Sequence, residues 1–193
     1  MIETYYRILK HDPDGKLVKD SGLIPSRSYV IQFLELLGAI FDGSGNVNAT
    51  ATDGTEDIIY DTTFMYKNGT VNPIAGDDDW GIVVGTNAGT TAEDNENYDL
   101  DTKILHSGVG EANKLNYQAV TMIAAREVGL NVDLDVARTF LNETGSPITV
   151  KEIGLISRCE PPNYHLILRD VVTDEEVLDA ETLTVVYTLR TTV

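Results

Sequence analysis

Three consecutive aspartates, Asp77, Asp78 and Asp79, form the densest run of hard oxygen ligands in the chain, and calcium is the ion such oxygens recognise. The run lacks the glycine and the closing glutamate of an EF-hand loop, so a calcium site competes here with a solvated acidic turn. Asp12-Pro13-Asp14-Gly15 is a second partial match, without the bidentate acid at its far end. Glu175 and Glu176 could act as an acid and base pair only in two different environments, and their neighbours in sequence supply none. His11, His106 and His165 are far apart, with no His, Cys or Asp at metal-ligand spacing, and read as core or surface histidines. Gly43-Ser44-Gly45 and Gly108-Val109-Gly110 lack the third glycine and the flanking elements of a phosphate-cradling loop. A nucleophile elbow is also missing. The residues therefore point to no enzyme, and to no cofactor other than calcium at residues 77–79.

The elements that would carry these residues are mostly strands. Val132, Leu134, Val136 and Phe140 alternate with polar residues, as a strand requires when one face meets a core and the other meets water. A turn at residues 142–147 follows, then β-rich runs over 148–156, 164–168 and 183–189. The leading fold is mainly β: an antiparallel β-sandwich of the jelly-roll or immunoglobulin-like kind, in one domain spanning residues 1–193. Residues 1–45 form its entry segment. Asp14-Gly15 between two apolar runs predicts a hairpin with a type I′ turn, and Pro25, Ser26 and Ser28 offer a helix start. Tyr29, Val30, Phe33, Leu34, Leu36, Leu37, Ile40 and Phe41 then recur at helical spacing, and so broad a stripe predicts one amphipathic helix covered on more than one side. Core packing is preferred over contact with another copy. Further strands are expected over 47–52, 58–66, 81–85 and 117–124, with 125–129 as connection. Residues 86–116, rich in Asn, Asp, Glu, Thr and Gly, read as a long polar loop that is mobile or reaches a neighbour.

Charge narrows the partners. The formal net charge of −17 over 193 residues repels phosphate backbones and anionic lipid surfaces, which argues against direct nucleic-acid binding and against a membrane. It also holds copies apart unless salt screens them. Cys159 is the single cysteine, so no intrachain disulfide forms. The first residues carry no basic segment followed by an apolar run, and residues 29–41, interrupted by Gln32 and Glu35, are too short to span a bilayer. A soluble product made in a cytoplasm is expected, and Asn48, Asn68 and Asn142 in their glycosylation-like triplets then serve turns and strands.

Two stretches resemble small structural proteins of tailed viruses. The first is Gly81-Ile82-Val83-Val84-Gly85-Thr86 with Tyr98-Asp99-Leu100, Lys103-Ile104, His106-Ser107-Gly108, Gly110 and Leu115-Asn116-Tyr117. The second is Arg138-Thr139-Phe140 with Asn142, then 148–155, Arg169-Asp170-Val171 and 183–188. Where such proteins carry a glycine-rich link before the last strand, this chain has Thr173-Asp174-Glu175-Glu176. The resemblance implies a virion component, synthesised in the host cytoplasm, whose partners are its own copies and other virion proteins. Capsid decoration or a turret is the first expectation, and a tail tube or head-to-tail connector the second. The last strand, residues 183–189, is the expected edge for pairing with a neighbour, with 191–193 trailing as an arm. An alternative from another class is a carbohydrate-binding sandwich that uses Trp80 as a stacking platform.

Overall fold

The computed structural model describes residues 2–26, 28–42, 47–59, 69–159 and 163–192. In chain order these form β1 (Ile2–His11), β2 (Leu17–Asp20), β3 (Ile24–Ser26), α1 (Ile31–Asp42), β4 (Val47–Thr50), β5 (Glu56–Ile59) and β6 (Gly81–Gly85). Then follow β7 (Asn116–Tyr117), β8 (Thr121–Val128), β9 (Asn131–Leu141), β10 (Ile148–Arg158), β11 (Tyr164–Val177) and β12 (Thr182–Thr192). The fold is mainly β, with antiparallel sheets and one short helix, as the alternation of apolar residues implies.

Period-two patterning places the core. In β12, Leu183, Val185 and Tyr187 are buried, and the register sets Tyr187 opposite both Tyr6 and Val136, and Leu183 opposite Phe140. These side chains make the inner face of a seven-stranded sheet ordered β2-β1-β12-β9-β7, with β3 also on β1 and β8 also on β9. The second layer is the three-stranded sheet β11-β10-β6, where Ile153 lies opposite Val84, and Leu155 opposite Ile82 and Leu168. Residues of both sheets join one buried cluster, the two-layer packing of a β-sandwich.

The outer face of the large sheet is polar for the same reason its inner face is apolar. Across four strands, Glu3, Arg190, Asp133 and Arg126 stand side by side with alternating sign. Arg190 donates from Nε and Nη2 to the two oxygens of Asp133, each at 2.7 Å, and holds that carboxyl below the usual carboxylate range.

Four expectations change. The strand over 182–192 is central, flanked by β1 and β9, so it is not the pairing edge; Thr191 and Thr192 pair with Ile2 and Asn131 and form no free arm. The open edges of the large sheet belong to β2 and β3 on one side and to β7 and β8 on the other. Residues 125–128 continue β8 through a bulge between Ile123 and Arg126 and are not a connection. The first hairpin turns on Asp12-Pro13-Asp14-Gly15, where Gly15 alone has positive φ, +79°, and its N–H donates to the Asp12 carbonyl. That is a turn closed by one left-handed glycine, not a type I′ pair. The strand expected over 58–66 extends beyond the described residues after β5, and Asn68 also lies outside them.

The helix begins at Ile31, whose N–H donates to the Asn95 carbonyl at 2.9 Å, while Ser26 and Ser28 send their hydroxyls elsewhere. Val30, Gln32 and Leu36 are buried, whereas Ile31 and Leu34 lie open, Leu34 at 65% exposure. The stripe is therefore covered on one side only, because α1 packs on β4 and β11 and nothing described overlies its other flank. Leu34→Ala is expected to change stability by less than ~0.5 kcal/mol. Ile153→Ala, in the sandwich core, should cost ~2–5 kcal/mol in the same denaturant titration.

Candidate functional site

The third of the chain with the most polar residues is organised by a buried ion pair. Glu152 in β10 and Arg169 in β11 are 0% and 1% exposed at the side chain, 2.9 Å apart at closest approach, on the face of the small sheet that turns away from the large one. Such a pair is tolerated only when every remaining donor and acceptor is satisfied. Here residues 86–102 supply the partners. Glu152 Oε1 accepts the N–H groups of Asn87 and Thr102, at 3.2 and 2.8 Å, and Oε2 accepts Asp101 N–H at 3.0 Å. Arg169 spends its Nε–H on Glu152 Oε2 and its four Nη protons on Ala92 O, Asn97 Oδ1, Asn87 Oδ1 and Thr91 O. All five guanidinium donors are used.

Two glycines let the loop come this close. A Cβ at Gly85 would sit 2.6 Å from the Thr102 carbonyl, and one at Gly154 2.5 Å from Leu100 Cδ1. Beside them, Thr86 N–H donates to Thr102 O and Ile104 N–H to Val84 O, so 102–104 runs along the free side of β6. Leu100, Ile104 and Leu115 enter the core cluster. Residues 86–115 hold no regular element and 88–96 are exposed, while main-chain groups between 87 and 102, with the side chains of Asn87 and Asn97, fasten the segment to Glu152 and Arg169.

The aspartate triplet lies at a second buried cation. Arg138, on the inner face of β9 and 1% exposed, forms no salt bridge with a described carboxylate. It donates to the carbonyls of Gln118, Trp80 and Ile82 at 2.8, 3.1 and 3.0 Å and to that of Asp77, and stacks 4.7 Å over the Tyr117 ring. Desolvation brings its pKa down to about 10. The chain bends around it, so the carboxylates of the triplet take separate tasks. Asp77 Oδ2 accepts Trp80 Nε1–H at 2.6 Å and its Oδ1 accepts Asp79 N–H at 3.1 Å, while Asp78 Oδ2 accepts His106 N–H. Among the described residues no three His, Cys, Asp or Glu side chains gather as a metal site would need. Trp80 is 7% exposed with the Arg158 guanidinium 5.4 Å from its ring centre, so it offers no open platform to a sugar.

The other singled-out residues are also fastened within the fold. Buried Glu175 accepts Lys19 Nζ, whereas Glu176 points outward. His106 Nδ1 accepts Tyr117 N–H at 3.1 Å, and His165 is buried beside the Thr50 carbonyl. Asn142 is fully buried and donates to Ser146 O and Val177 O, both at 2.8 Å. Two clefts remain. A polar one of about 270 Å³ is lined by Thr91, Glu96, Asn97, Tyr98, Asp99 and Arg169. The other, about 380 Å³, is an apolar groove between Ile2, Tyr29, Ile31, Phe33, Leu34 and Asn95.

A third buried group entered the sequence reading only within the run Arg169-Asp170-Val171, with no role assigned to it. Asp170 points into the sandwich and accepts the hydroxyls of Ser26, Ser28 and Tyr187 at 3.0, 2.9 and 3.0 Å. Burial pushes its carboxyl up, against the opposing pull of those hydroxyls. Three hydroxyls hold this carboxyl in place. The signal that could have found Glu152, Arg169, Asp170 and Arg138 is their position: each is a charge inside an otherwise apolar strand run, where a strand buried on both faces has no room for an unpaired one.

No family model matches the chain, and no curated protein or solved structure shows significant similarity to it.

Arg169→Ala should cost ~3–5 kcal/mol, because it strands Glu152 as a lone buried charge, and limited proteolysis should then cut within residues 86–102. Intact resistance to protease there would refute the role assigned to the pair. Asp170 has the opposite sign to Asp133 and Asp20: a raised folded pKa means that the charged form is penalised, so its contribution worsens as pH rises from the unfolded value to the folded one and is constant above. The stability of Asp170→Asn relative to the native chain should therefore increase across that interval in thermal melts, and a flat difference would refute it.

Proposed function

We propose that this protein is a structural component of a tailed-virus particle, acting by assembly with its own copies and with other virion proteins, as a capsid decoration or turret. One observation carries the reading. The groups that could do chemistry, Glu152, Arg169, Arg138, Asp170 and the Asp77–Asp78 pair, are consumed as internal fastenings, while strand edges and an apolar groove are left open. A protein that works through its surfaces, with stability gained from symmetric contacts, has that distribution. The order of residues along 81–188 that resembles virion proteins supports the same class, and the net charge of −17 suits a particle surface kept free of nucleic acid.

A tube or connector is the second reading. It is favoured by one feature: both edges of the same seven-stranded sheet are open, so copies could add side by side into a ring. The two differ in outcome. Electron micrographs of purified protein should show closed small oligomers, and open filaments would overturn the decoration reading. Mass photometry from low to high salt should show assembly growing with ionic strength, since screening relieves the repulsion between acidic copies. Monomers at every salt and concentration would overturn the class as a whole.

A further inference from the structure

We infer that β8 is the strand through which a second copy of this chain docks, edge to edge, onto the large sheet. The inference rests on the reading of the protein as self-assembling and names the surface that does it. All eight residues of Thr121–Val128 are exposed, although the strand belongs to a sheet. It pairs with β9 on one side, and no described strand pairs with the other. The small sheet has three strands against seven, and its edge strand β6 reaches only as far as β9, so β8 overhangs with neither face covered.

The chemistry of the overhang is unusual for an edge. Natural edges are blocked by lysine, proline or inward charges. This one carries Met122, Ile123 and Val128, all exposed, and the adjoining turn adds Leu130 at 79% exposure. The protections present are the bulge between Ile123 and Arg126 and the pair Arg126 and Glu127, whose charges cancel. Arg126 is drawn back onto Asp135 across β9. A free row of N–H and C=O groups bordered by apolar side chains is a template for another strand.

Charge selects the occupant. Two bodies of net charge −17 repel wherever their acidic surfaces meet, and residues 121–132 form a stretch where the surface is apolar and formally neutral. Two copies that meet there bring no excess of like charge into contact.

The test uses the whole chain and a double variant, Ile123→Glu with Val128→Glu. Light scattering at high salt should show the native chain assembling, with the variant requiring ~10-fold higher concentration or more, a coupling well within what a few contacts supply. Far-UV circular dichroism and melting of dilute samples should coincide for the two, which separates lost docking from lost folding. Hydrogen exchange on the native chain needs no substitution: amides of β8 should gain protection as concentration rises. Unchanged assembly of the variant, or no gain of protection in β8, would overturn the assignment of this surface while self-assembly itself stood. A native chain that stays monomeric under every condition would overturn both.

Discussion

A charge withdrawn from water has to be answered inside the protein, and the Glu152–Arg169 pair is where this fold meets that requirement most completely. The two side chains answer each other, but a carboxylate has about four acceptor directions and a guanidinium five donors, so one ion pair leaves most of them unsatisfied. Residues 87–102 supply the rest, largely from main-chain groups. The consequence runs outward. A segment without regular strands or helices becomes ordered, Leu100 and Ile104 are pulled into contact with the small sheet, and the outer face of three strands is covered without a third layer. A hydrophobic cover could have served the same area. The polar one fixes a single path for the chain, because each donor and acceptor has one partner in reach.

Arg138 solves the same problem by another route. It forms no salt bridge with a described carboxylate and is held by carbonyl oxygens and by the faces of Tyr117 and Phe140; burial lowers its pKa against the opposing pull of nearby Asp77 and Asp78. Its hold on the carbonyls of Asp77, Trp80 and Ile82 sets the bend that leads into β6. The aspartates then lie where the main chain is already fixed, and their side chains stitch that bend to Trp80 and His106. Asp170 is a third variant, a carboxyl steadied by three hydroxyls. It joins β11 to β12 and to the segment ahead of α1, and so links both layers to the helix entry.

The sandwich itself was legible because β9, β10 and β12 alternate or run apolar over enough residues for the period to speak, and Val136, Phe140, Leu183 and Val185 fall where alternation puts them. Pairing order was not legible. Which strand lies at an edge depends on contacts far apart in sequence, such as Ile2 with Thr191, and no local pattern marks β12 as central. The loop was legible as a loop but its attachment was not, because main-chain groups that answer charges 50 to 80 residues away leave no local pattern. The helix lies where its spacing put it, but its covering was not legible. Its stripe is broader than the surface available to cover it, so Ile31 and Leu34 remain outside. Ser26 and Ser28, read as a helix start, are taken by Asp170, since a buried carboxyl is a stronger claim on a hydroxyl than an exposed helix end.

Unequal layers explain where the molecule is left open. Seven strands cannot be covered by three, and the loop pinned by Glu152 and Arg169 covers the outside of the small sheet and not the excess of the large one. The excess falls at the two ends of the strand order. At the β2 end, Lys19 and Asp20 are engaged with Glu175 and Arg7, which ties that edge back onto its own chain. At the β8 end no comparable tether is formed among the described residues; Arg126 binds within the same sheet. The asymmetry follows from the topology: β11, which carries Glu175, lies on the side of the small sheet nearer β2, whereas β6 ends in glycine at both termini and offers no side chain to span the distance to β8. The described contacts thus tie one flank back onto its own chain and show no such tie at the other, where Met122, Ile123 and Val128 are exposed.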